Sequence, residues 1–99
     1  MKAYLKCENT KNHKIIDLKI EGQECNIQAS YDELLEFKKE EGIADYDVMQ
    51  KERLYTWLEE YNITLHEDSK QWLDDLKNAK WKILGWTEAP QKEVEILGF

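Results

Sequence analysis

Apolar and polar residues alternate at the start of the chain. In residues 2–8, KAYLKCE, Ala3, Leu5 and Cys7 fall on one side and Lys2, Tyr4 and Lys6 on the other, the period of a half-buried strand. After a polar turn from Asn9 to His13, residues 14–20 set Ile16, Leu18 and Ile20 against Asp17 and Lys19. After the tight turn Glu21-Gly22-Gln23, residues 24–29 set Cys25, Ile27 and Ala29 against Glu24, Asn26 and Gln28. Two short connections predict an antiparallel three-stranded meander with one apolar face to be covered and one polar face left wet.

The period then becomes helical. Ser30-Tyr31-Asp32-Glu33 has the form of a capping box, in which the hydroxyl and the carboxylate satisfy each other's backbone N–H. A helix over 31–41 follows, with Tyr31, Leu34, Leu35 and the stem of Lys38 inward. Gly42 is placed to end it in the left-handed conformation, and Ile43 to fold back toward Phe37. The clearest helical stripe runs through DVMQKERLYTWLEEYNI, Asp47 to Ile63, where Leu54, Trp57, Leu58 and Tyr61 share a face and Asn62-Ile63 repeats the same kind of ending. Thr64-Leu65-His66-Glu67 is a second capping box. It opens a third helix over 65–79, with Leu65, Trp72, Leu73, Leu76 and Ala79 on one side. The short link makes this helix the antiparallel partner of the second.

Alternation returns in Trp81, Ile83 and Gly85 against Lys82, Leu84 and Trp86, a fourth strand. Thr87 to Lys92 holds the one proline and reads as a turn, and Glu93 to Phe99, EVEILGF, reads as a last strand. The predicted order is βββαααββ. Without βαβ alternation this is an α+β fold, a mostly antiparallel sheet with three helices on one face and a C-terminal strand pair, in a single domain over residues 1–99.

Composition narrows the class. Apolar residues make up 41% of the chain and charged ones 35%, and the regular apolar spacing argues against disorder. No apolar run approaches the roughly 18 residues of a membrane span, so no membrane partner is expected. MKAYLKCENTK lacks the apolar core of a signal peptide, so the expected location is the cytoplasm, and Asn62-Ile63-Thr64 carries no weight as a glycosylation site. The net charge of −7 is concentrated: residues 31–75 hold fourteen acids against five bases, while both flanks are slightly positive. Such a domain repels nucleic acid and membrane surfaces and attracts basic partners.

Candidate chemistry is sparse. Cys7 and Cys25 form no CxxC and have no histidine at ligand spacing; two buried, reduced thiols on adjacent strands are expected. A nucleophilic site would need one of them beside His13 or His66, and nothing in the spacing brings them together. Any glycosidase-like pair drawn from 21 acids is uninformative. Asp45-Tyr46-Asp47 is the nearest approach to a calcium loop, but helix capping explains both aspartates better, since no glycine or downstream glutamate completes the pattern. Four glycines form no phosphate loop. The expectation is no enzyme, no metal and no cofactor. Lys2, Tyr4, Lys6 and Lys19 make a mildly basic strip with an aromatic, as in single-strand binders, but Asp17, Glu24 and the acidic middle dilute it, so direct nucleic-acid binding is not expected.

What remains is where the acids fall. On the first helix Glu33, Glu36 and Glu40 lie opposite the apolar stripe; on the second, Glu52 and Glu59; on the third, Glu67 and Asp74. Glu33 to Glu40 spans about 10 Å, a charge density comparable to the one per about 3.4 Å of a DNA strand. Solvation alone accounts for such faces, and so does a basic partner. Trp81 and Trp86, five apart in a strand, should face opposite sides, which makes Trp86 a candidate exposed anchor.

At the level of type, the chain resembles the small anti-restriction and anti-CRISPR proteins of phages and mobile elements. The resemblance rests on its size, on the acid block from Asp32 to Asp75 with its EFKKEEG and TWLEEYN segments, and on the lack of an active-site pattern. It implies a stoichiometric inhibitor that occupies the nucleic-acid-binding surface of a host nuclease or Cas effector, acting in the host cytoplasm if phage-encoded. No residue roles carry over. The alternative is a non-catalytic adaptor or assembly subunit, homodimeric through a sheet edge or a Trp patch.

Overall fold

A computed structural model describes residues 1–74, 79–96 and 99, apart from the side chains of Trp72 and Asp74. The elements are β1 (Lys2–Asn9), β2 (Ile15–Glu21), α1 (Glu24–Glu41), β3 (Val48–Gln50), α2 (Lys51–Glu60), β4 (Thr64–Leu65), α3 (Glu67–Asp74), β5 (Lys80–Glu88) and α4 (Gln91–Ile96). The fold is α+β, with a five-stranded antiparallel sheet in the order β3-β5-β1-β2-β4.

The first two strands follow the alternation. Ala3, Leu5 and Cys7 stand opposite Ile20, Leu18 and Ile16, and all six are buried on the helix side of the sheet. Asn9 shapes the turn between them: its Oδ1 accepts the N–H groups of Lys11 and Asn12, at 2.8 and 3.3 Å.

The expected third strand is instead the start of a long helix, so β1 pairs with β5 on its far side and the meander does not form. Three alternating apolar residues cannot separate the two periods. Ile27, Ser30 and Leu34 are buried at helical spacing, and the 18-residue helix buries one continuous stripe. Ser30 is no cap. It lies inside the helix, buried, with its hydroxyl donating back to the Ile27 carbonyl at 2.7 Å. Gly42 does end the helix, at φ 64°, but Ile43 stays 45% exposed rather than folding onto Phe37.

The second helix begins later than the stripe implied. Val48–Gln50 is extended and pairs with Lys80–Lys82, which sets Met49 against Trp81 in the core. Asp47 is therefore not a helix cap. Its carbonyl accepts the Ile83 N–H at 2.9 Å, and its buried carboxylate accepts from Lys38 Nζ at 3.1 Å, tying α1 to the sheet. At the far end Asn62 is left-handed, at φ 56°, and Ile63 is buried with its N–H on the Leu58 carbonyl at 2.9 Å, as expected.

Thr64 and Leu65 do not open the third helix. They pair with Glu21 and Ile20 as β4, and the His66 side chain takes the capping role by accepting the Asp68 N–H at 3.2 Å. Leu65 and Leu73 reach the core, whereas Leu76 lies outside the described residues. β5 bulges between Ile83 and Gly85, and Gly85 has φ 151°, a value that favours glycine. The extra residue shifts the alternation by one. Trp86 then stands opposite Leu5, on the same face as Trp81, and the two tryptophans do not face opposite sides. The expected last strand is also a helix: Pro90 precedes Gln91–Ile96, with the Val94 N–H on the Pro90 carbonyl at 3.1 Å.

That change covers part of the polar sheet face. The Phe99 ring packs against Tyr4, with centroids 5.5 Å apart, and the Lys2 and Lys19 ammoniums lie over it at 5.9 and 5.8 Å. The basic strip is thus largely engaged within the molecule.

Candidate functional site

The three predicted acidic lines meet different surroundings. On α1, Glu33, Glu36 and Glu40 are all exposed, and none has an ion pair among the described residues. On α2, Glu52 and Glu59 are exposed and lie on one stripe two turns apart. On α3, Glu67 accepts from Lys70 Nζ at 2.9 Å, and this bond raises the pKa of the ammonium, with Tyr55 and Glu59 adding to the effect. Lys70 therefore pairs with Glu67, with Glu59 close enough to be felt. The Asp74 side chain lies outside the described residues. Glu33, Glu36 and Glu40 thus stand without an ion pair among the described residues, on a helix that also carries Lys38 and Lys39 in its last turn, whereas Glu67 has one.

Of the three α1 acids, Glu33 lines a cleft of about 270 Å³ between α1 and α2, while Glu36 and Glu40 lie outside its lining. Leu34 and Met49, both nearly fully buried, lie at its base. Its aromatic lining comes from Phe37, Tyr46, Trp57 and Tyr61. Trp57 and Tyr61 sit one turn apart at the margin of the α2 apolar stripe, so each is half-buried. Phe37, one turn beyond Glu33, is 44% exposed and lies 6.0 Å from Tyr46. The Arg53 guanidinium stands over the Tyr46 ring at 5.0 Å.

Two carboxylates, Glu33 and Glu60, line the same cleft. The Tyr61 hydroxyl donates to Glu33 Oε2. Burial, then Glu33, then Glu60 push the Tyr61 hydroxyl up to about 12. The site pairs negative charge with aromatic surface, which suits a cation. Sequence reasoning placed Trp57 and Tyr61 in the core stripe and passed over Phe37, Tyr46, Arg53 and Glu60. The available signal was the i, i+4 spacing of Glu33 with Phe37 and of Trp57 with Tyr61.

Trp86 is half-buried against the core rather than projecting as a free anchor. A larger groove of about 990 Å³ is lined by residues of β1, β2 and β5 together with Asp68 and Ser69 of α3 and Glu93 of α4. Its walls carry both signs of charge, with Lys14 and Lys19 among Asp17, Asp68, Glu88 and Glu93. Burial, helped by Glu93 and Asp17, raises the Tyr4 hydroxyl there above its ordinary pKa.

The cysteines and histidines do not converge. Cys7 is buried in β1, and burial, with the charge of Asp17, pushes its thiol far up, away from the reactive thiolate. Cys25 is exposed on α1 and not on a neighbouring strand, a correction to the expected buried pair. His13 is exposed, with Nδ1 2.9 Å from Glu8 Oε2, and His66 Nδ1 lies 3.6 Å from Asp68 Oδ2. Among the described residues no three His, Cys, Asp or Glu side chains are grouped to hold a metal ion, and no helix is long and apolar enough to cross a membrane.

No protein-family model, curated protein or solved structure matches the chain.

Proposed function

We propose that this protein is a stoichiometric inhibitor that docks its α1–α2 face on the basic nucleic-acid-binding surface of a nuclease or related enzyme. The observation that supports this reading is the aromatic cleft lined by Glu33 and Glu60, on a helix that also exposes Glu36 and Glu40. Carboxylates without an ion pair among the described residues steer a basic surface toward the face, and the rings supply apolar contact once it arrives. Glu59 and Glu67 extend the field as a weaker flank beside Lys70, Glu52 adds an exposed charge farther along α2, and Trp86 supports the sheet beneath. Because the attraction runs between exposed charges, association is fast and weakens as salt rises.

The test starts from capture at low salt and identification of the bound protein, followed by a competition assay with a labelled oligonucleotide. The expected partner is a nucleic-acid-handling enzyme whose oligonucleotide is displaced at one equivalent of inhibitor. A captured set without such an enzyme contradicts the reading. So does an enzyme that holds oligonucleotide and inhibitor together.

A second reading, a homodimeric adaptor, draws on one observation. β2 pairs with β4 only at Ile20 and Glu21, and Ile15, farther along that strand, is 54% exposed. A sheet edge of this kind accepts another strand. Light scattering separates the two readings: a dimer insensitive to salt favours the adaptor, and a monomer favours the inhibitor.

A further inference from the structure

The cleft between α1 and α2 is specific in size, polarity and charge. At about 270 Å³ it falls below the roughly 300–1,000 Å³ of sites that enclose small molecules and cofactors, and it has room for one long side chain. Its base is Leu34 and Met49, so the occupant carries apolar surface. Its rim holds Glu33 and Glu60, so the occupant ends in a positive charge. Among natural side chains only arginine and lysine meet both conditions.

Two features favour the guanidinium. The protein already sets one on an aromatic wall of this cleft, Arg53 over Tyr46 at 5.0 Å. A guanidinium is planar and weakly hydrated, stacks on rings and forms paired bonds to carboxylates, whereas an ammonium holds its water more tightly. The carboxylates also have acceptor capacity to spare. Tyr61 donates to Oε2 of Glu33, which leaves Oε1 available, and Glu60 has no hydrogen-bond or ion-pair partner among the described residues.

Arg53 does not fill the place. Its guanidinium is engaged on the Tyr46 ring, and among the described residues it makes no ion pair or hydrogen bond with Glu33 or Glu60.

We propose that the cleft, at Trp57, Tyr61, Glu33 and Glu60, takes one arginine side chain of the basic partner. The site is the anchor point of the docking face described above, and the identity of the arginine's owner rests on that reading. The arginine recognition itself does not.

Nuclear magnetic resonance titration of the whole chain with N-acetyl-arginine amide tests it. Matched titrations use N-acetyl-lysine amide and the neutral isostere N-acetyl-citrulline amide. Saturable shifts are expected at the Trp57 indole and at the Glu33 and Tyr61 amides, strongest for arginine, weaker for lysine and negligible for citrulline. Glu60→Gln, an exposed change, should weaken the arginine probe by about tenfold, the loss of one charge-assisted bond. Shifts scattered over the surface, citrulline equal to arginine, or lysine equal to or above arginine each overturn the assignment. If the arginine probe fails while the chain still displaces oligonucleotide from its enzyme, only the anchor is wrong. If the probe binds the cleft and no displacement occurs, the inhibitor reading is wrong and the arginine site stands.

Discussion

Two side chains carry more consequence than their sequence context implied. Tyr61 holds Glu33 through its hydroxyl, and its pKa is pushed up to about 12 from the ordinary value near 10. A group raised in the folded state adds stability that is complete below the unfolded pKa and disappears as pH climbs through the folded one. The advantage of the wild type over Tyr61→Phe should be full below about pH 10 and vanish as pH passes about 12. It should amount to at most about 1 kcal/mol, since the bond is near solvent. Phenolate absorbance checks the assignment, because the variant should lose a late-titrating component. Asp47 is the second case. Its carboxylate is buried at 4% exposure and pairs, among the described residues, with Lys38, itself half-buried. Lys38→Met should cost about 1–3 kcal/mol in urea unfolding by leaving that charge unpaired. Adding Asp47→Leu should recover much of the loss, and a double variant no better than the single would refute the coupling.

At the level of elements, the sequence was most legible where one period ran long with caps at its end. β1 and β2 kept their predicted faces, and the endings at Gly42 and Asn62 both took the left-handed conformation. Short segments misled. Residues 24–29 satisfy strand alternation and helix spacing alike, and what decides between them is the stripe that continues through Ser30 and Leu34. A plausible cap at Ser30 made matters worse, since serine can also back-bond inside a helix. Val48–Gln50 was absorbed into a neighbouring helix because its partner strand, β5, lies thirty residues on, beyond any local pattern. Ala29→Pro discriminates sharply here. In the interior of α1 it removes a helical hydrogen bond and should cost about 3 kcal/mol or more with loss of far-ultraviolet helical signal. A silent substitution would contradict the long helix.

For the molecule as a whole, the charge map was half legible. The wheel put Glu33, Glu36 and Glu40 on an outer line, and all three are exposed. It could not show that Lys70 sits among Glu59 and Glu67, nor that Phe37, Tyr46, Trp57 and Tyr61 gather from three parts of the chain into one cleft. Those facts depend on how α1 and α2 lie side by side, which no period encodes. The bulge in β5 is a similar case: one extra residue moves Trp86 to the core side, and Gly85 was its only trace in the sequence.

Placement, rather than net charge, is what the functional reading requires, and two matched triple variants separate them. Glu33→Lys, Glu36→Lys and Glu40→Lys reverse the docking face. Asp17→Lys, Glu88→Lys and Glu95→Lys make the same change in total charge, at exposed positions away from the α1–α2 cleft. With both folds verified by circular dichroism, affinity for the captured enzyme is measured at one low salt concentration. The first triple should weaken binding by about two orders of magnitude, at about 1 kcal/mol per reversed charge, and the second by less than about tenfold. Equal losses from the two triples would mean that the acids act only through bulk charge and that the α1–α2 face has no special role.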